Sequence, residues 1–93
     1  MKSILYIEDD PASRSLVERT LKYGGYKVFI AACGLDGIDM ARHEVPDLIL
    51  TDLNLPDMSG REITTTLRSD PRFKTTPIAV SYTHLTLPTN REV

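Results

Sequence analysis

The chain has 93 residues, 41% hydrophobic and 26% charged, which allows one small globular domain and excludes a disordered or fibrous polymer. Formal net charge is −2, from 11 basic and 13 acidic residues, and no long basic run marks a nucleic-acid or membrane-surface footprint. The one cysteine, Cys33, excludes an internal disulfide framework and fits a cytoplasmic setting.

Residues 4–7, Ile-Leu-Tyr-Ile, are too short to span a bilayer and lack a cleavage site, so neither an anchor nor a signal peptide is expected. Bounded by Glu8-Asp9-Asp10-Pro11, they read as a buried first strand. Asp10 before Pro11 is an N-cap acceptor followed by proline at the first helical position. Leu16, Val17 and Leu21 then share one helical face, and Gly24-Gly25 ends the helix. Residues 26–32 are rich in β-formers and read as a second strand. Leu35, Ile38 and Ala41 recur every three residues, which predicts a second helix to about Glu44, closed by Pro46.

Residues 48–50 are another continuous apolar run, ending at Asp52. Proline, aspartate, serine and glycine make 54–60 a loop. Ser59 and Glu62 stand at capping-box spacing and open a third helix with Ile63, Thr66 and Leu67 inward. Asp70-Pro71 ends it, and Pro77 leads into a fourth strand. Alternating strands and helices, with continuously apolar strands, argue an α/β fold of three layers, a parallel sheet with helices on both faces. In the doubly wound order 2-1-3-4-5, strands one and three are neighbours at the switch point, where ligands bind beyond the strands' carboxyl ends. Glu8, Asp9 and Asp52 all fall there.

Three carboxylates at one crevice repel one another and call for a compensating charge. A hard divalent cation with oxygen ligands, such as Mg²⁺, supplies it. A carboxylate beside that ion can attack phosphorus as a nucleophile. Asp10 is read as a cap alone. Cys33 reads as a small packing residue and His43 as a solvated helix side chain.

The run from Ile4 through Glu8-Asp9-Asp10-Pro11, with Asp47-Leu48-Ile49-Leu50-Thr51-Asp52-Leu53-Asn54-Leu55-Pro56-Asp57-Met58-Ser59-Gly60, resembles the receiver domain of two-component response regulators. The resemblance covers residues 2–79 and implies a flavodoxin-like fold. It also implies phosphorelay signalling: acceptance of a phosphoryl group on Asp52 from a histidine kinase or phosphotransfer partner. Asp9 then matches the direct metal ligand, Glu8 a ligand acting through water, and Asn54 the position whose backbone carbonyl binds Mg²⁺. Pro56 and Gly60 match the family's turn residues. The implied protein is a cytoplasmic signalling module, not an enzyme except toward itself, with neither nucleic acid nor membrane as a partner of this domain. Two other readings stand beside it. One is an α/β interaction module that takes no phosphate. The other is a metal-dependent phosphotransferase or nuclease, though such sites want an acid where Asn54 stands.

The chain departs from the family after the fourth strand. A fourth helix, fifth strand and fifth helix have no counterpart, and no lysine matches the family's phosphate-binding one. Ser81 or Thr83 stands near the family's switch hydroxyl. Residues 80–93 resemble translated sequencing-adaptor sequence, so 1–79 read as the N-terminal part of a receiver and 80–93 as a non-native tail. Without the last elements a sheet edge lies unpaired, and the chain as given is expected to melt with weak cooperativity.

Overall fold

The structure, a computed structural model, describes residues 1–81. The elements run β1 (Ser3–Ile7), α1 (Pro11–Tyr23), β2 (Lys27–Ala31), α2 (Gly34–Glu44), β3 (Leu48–Asp52), α3 (Gly60–Arg68), a 3-10 turn (Pro71–Phe73) and β4 (Ile78–Ser81). All neighbouring strands are parallel, in the order β2-β1-β3-β4. This is the expected doubly wound arrangement as far as the described residues run. Thr83 lies outside them.

The chain steps outward from β1 to β2, then back across β1 to β3 and on to β4. Right-handed crossovers therefore put α1 on one face of the sheet and α2 and α3 on the other. The main core forms on the α2/α3 face. There Leu5, Ile7 and Ile49 of the strands meet Ile38, Ala41, Ile63, Leu67 and Phe73. Strand side chains alternate, so Ile4 and Tyr6 of β1, and Leu48 and Leu50 beside them in β3, point to the α1 face. Leu48 and Leu50 are only half-buried there.

Local chemistry sets the helix ends. The Asp10 carboxylate accepts from the Ser13 N–H at 3.0 Å at the start of α1. The expected capping box of α3 is present on both sides. The Glu62 N–H donates to Ser59 Oγ at 3.1 Å, and the Ser59 N–H donates to Glu62 Oε1 at 2.9 Å. At the end of α1, Gly25 takes a φ of 91°, the left-handed turn that glycine tolerates.

Two inner-face expectations need correction. In α1 the most buried residue is Ser13, while Leu16 is 49% exposed. The stripe facing the sheet is Ser13, Val17 and Leu21, four residues apart, so Leu16 falls at its edge. Ser13 is tolerated there because its hydroxyl donates to Asp10 Oδ2 at 2.8 Å. In α2, Leu35 is exposed and the buried positions are Gly34, Gly37, Ile38 and Ala41. The turn Pro71–Phe73, unforeseen in the sequence, places Phe73 fully inside.

The two faces should respond differently to truncation. In the full-length protein Leu67→Ala, inside the α2/α3 core, should cost about 2–5 kcal/mol in urea denaturation. Leu16→Ala should cost less than about 1 kcal/mol.

Candidate functional site

The site is built where β1 and β3 end side by side. Ile7 and Thr51 are register partners, so Glu8 and Asp52 follow them at the same sheet level. Oxygens of Glu8, Asp9 and Asp52 all lie within 4.8 Å of one another. Glu8 is 1% exposed and Asp52 2% exposed, whereas Asp9 faces solvent.

Backbone and side-chain donors hold the first pair of acids. The Glu8 N–H donates to the Ala31 carbonyl at 3.0 Å, extending the β1–β2 ladder one residue past the strand. Both Glu8 oxygens are engaged: Oε1 accepts from the Tyr6 hydroxyl at 3.2 Å and Oε2 from the Asp10 N–H at 3.1 Å. Burial, with the Glu8 carboxylate beside it, pushes the Tyr6 hydroxyl above the ordinary tyrosine range, so it stays a donor. Arg14 of α1 reaches back to the Glu8 and Asp9 carbonyls, each at 3.1 Å, and fixes the turn that presents the two acids.

The second half of the site is the turn after β3. The Leu53 N–H donates to the Ser81 carbonyl at 2.8 Å, and the Gly60 N–H donates to the Leu53 carbonyl at 2.7 Å. Asn54 and Ser59 form an isolated antiparallel bridge that closes the loop at its base. Gly60 is buried against the end of β3: a Cβ there would stand 2.7 Å from the Asp52 carbonyl oxygen. Larger residues would push α3 away from Asp52.

The residues singled out in the sequence fall as follows. Glu8, Asp9 and Asp52 come together. Asn54 is exposed two residues past Asp52, and Pro56 is exposed in the loop. Ser81 ends β4 directly opposite Asp52 in the register. Sequence reasoning missed Tyr6, read only as a buried strand residue, and Asp57, read only as loop. A tyrosine two residues before a strand-end acid is the signal that could have found the first, because the two side chains share a face. Nothing local marks the second, since its partners lie 22 and 23 residues away.

The buried pair sets the electrostatics. Two carboxylates within 4.8 Å, were both ionised, would repel by about 3.5 kcal/mol or more at an effective dielectric of about 20. A site of three convergent oxygen donors, with no histidine or cysteine among them, has the chemistry of a hard-cation site. No helix of the described residues is long and apolar enough to cross a membrane.

Comparison with known proteins agrees with this geometry. The response regulator receiver domain family matches residues 4–92. The polar-differentiation response regulator DivK of Brucella ovis is 35% identical over 77 residues, which are 83% of this chain and 63% of DivK. The chain thus spans under two thirds of the curated relatives it matches. The chemotaxis response regulator CheY4 of Vibrio cholerae superposes with a TM-score of 0.84 at 34% identity, over 86% of this chain and 67% of CheY4. A receiver domain of a sensor histidine kinase from Pseudomonas aeruginosa superposes at 0.81 with 30% identity, over 85% of this chain and 65% of its own. That structure holds a magnesium ion in its active-site cleft.

Proposed function

Because the chain belongs to the response regulator receiver domain family, we propose that it accepts a phosphoryl group on Asp52 from the phosphohistidine of a kinase or phosphotransfer partner, with Mg²⁺ bound at the acidic crevice. The observation that carries this reading is the convergence of Glu8, Asp9 and Asp52 within 4.8 Å at neighbouring strand ends.

In the proposed reaction a carboxylate oxygen of Asp52 attacks phosphorus in line with the partner's imidazole. The N–P bond breaks, an O–P bond forms, and the imidazole leaves and takes a proton from solvent. When bound, the cation neutralises charge on the transferring phosphoryl oxygens. Asp52, in this reading, is both nucleophile and metal ligand, and the Asn54 backbone carbonyl is a further ligand. Asp9 is exposed and open to direct coordination. Glu8 already accepts two protein hydrogen bonds, which suits contact through a water. The output is a shift between conformations of the domain, the ordinary role of a charge-adding switch. The hydroxyl that senses the phosphoryl group is Ser81 or Thr83. Ser81 has the support of its register opposite Asp52.

The setting we propose is cytoplasmic. Residues 1–79 are taken as the N-terminal part of a longer receiver and 80–93 as adaptor read-through. β4 runs through this junction to Ser81. Independent sequencing of the gene across codon 79 tests the division. A fifth strand bearing lysine is expected there, and an unchanged read-out would remove it.

Incubation of the full-length protein with a small phosphodonor and Mg²⁺ should give one hydroxylamine-labile acyl phosphate. Asp52→Asn should abolish it, and undiminished labelling of that variant would refute the assignment. In calorimetric titration with Mg²⁺, Asp9→Asn should weaken binding more than Glu8→Gln. A larger effect at Glu8 would reverse the two roles.

A further inference from the structure

The carboxylate of Asp57, at the tip of the loop after β3, reaches across to the start of α2. Its Oδ1 accepts from the Gly34 N–H and its Oδ2 from the Leu35 N–H, both at 2.8 Å. These are two of the four backbone donors that a helix leaves without partners at its N-terminus. The N-cap of α2 is Cys33, with extended backbone (φ −148°, ψ 170°) and no side-chain hydrogen bond to the helix. Asp57 therefore caps α2 from 23 residues away. The Gly34 N–H foremost, then the Leu35 N–H, hold its carboxyl below the usual range, so it is charged at neutral pH. Met58 lies over Gly34, where any Cβ would collide with it. Leu55 and Met58 pack against the core from the same loop.

Apart from Asp57, and from Leu55 and Met58, which pack on the core, the rest of the loop is hydrogen-bonded within itself. Asn54 bridges Ser59, and the Leu55 N–H donates to the Met58 carbonyl at 3.2 Å. A closed turn of this kind can tilt as one piece about its base. The contacts that oppose this are the packing of Leu55 and Met58 and, at the tip, the two charge-assisted hydrogen bonds of Asp57.

We propose that Asp57 is a positioning residue, which clamps the turn after β3 onto the first residues of α2 and so fixes where the Asn54 backbone carbonyl stands relative to Asp52. This rests on the reading of Asn54 and Asp52 as metal ligands. It adds a residue that touches neither the cation nor the phosphoryl group but sets the shape of the site. The clamp also joins the acceptor loop to α2, so a movement of one is transmitted to the other.

The rival role is plain helix capping, in which Asp57 stabilises α2 and the site is indifferent to it. Three forms of the full-length protein separate the two: unsubstituted, Asp57→Ala, and Asp57→Ala with Cys33→Ser. Serine at position 33 gives α2 a local cap but does not restore the tie to the loop. Mg²⁺ affinity is read by calorimetry and stability by thermal melting. Asp57→Ala should lower affinity roughly tenfold, the usual scale for an outer-shell partner. The double variant should recover melting temperature while its affinity stays low. Amide exchange at Leu55 and Met58 should remain faster than in the unsubstituted protein. If affinity returns together with stability, Asp57 is only a cap and the proposal is wrong. Unchanged affinity in Asp57→Ala overturns it as well, leaving the metal site intact. No Mg²⁺ binding by the unsubstituted protein overturns the metal reading, and this proposal with it. Should Asp57→Ala fold too weakly to titrate, the double variant alone carries the comparison.

Discussion

Glu8 and Asp52 are almost wholly removed from solvent at the ends of neighbouring strands, with Asp9 beside them. Seating these carboxylates side by side and out of water is the constraint around which the rest of the domain is arranged. A parallel sheet brings the carboxyl ends of β1 and β3 together at the switch point of strand order. The acids therefore cannot move apart without breaking register. What the fold does is give Glu8 donors. The Tyr6 hydroxyl and the Asp10 N–H take the two oxygens of Glu8, and Arg14 holds the backbone beneath. Three convergent oxygen donors at the end of this arrangement are the chemistry a hard cation takes, and the proposed function rests on that fit.

Both faces of the sheet support the site, and the larger core lies on the α2/α3 side. Leu5, Ile7 and Ile49 lie in β1 and β3 within three residues of the acids, and all three are locked into the core with α2 and α3. Residues of opposite parity, Leu48 and Leu50, are half-covered on the α1 face. The loop after β3 is fastened to the α2/α3 side through Asp57 and Gly34, while Tyr6, of the other parity, holds Glu8 from the α1 side.

Much of this was legible before any coordinates. Short apolar runs ending in acids identified β1 and β3, because a strand buried on both faces has little room for polar residues until it ends. Asp10-Pro11 and Ser59 with Glu62 marked two helix starts, and the hydrogen bonds they imply are present. Helix phase was harder. Leu16 and Leu35 fit the periodic pattern but stand at the edges of their stripes, while Ser13 and Gly37 take the inner positions. Hydrophobic spacing cannot anticipate a buried serine satisfied by its own cap, nor a glycine chosen for closeness. Phe73 was missed because a 3-10 turn has too few residues to show a period. Asp57 was invisible for another reason: its partners are backbone N–H groups, which every residue but proline carries, so their identity leaves no mark in the sequence.

The central claim is that the buried strand-end carboxylate of Asp52, and no other acid of the crevice, takes the phosphoryl group. Borohydride reduction of the phosphorylated protein converts an aspartyl phosphate to homoserine, which peptide mass spectrometry can place. Homoserine at position 52 alone is the expected result. Homoserine at position 9, or at none of the three acids of the crevice, would contradict the claim.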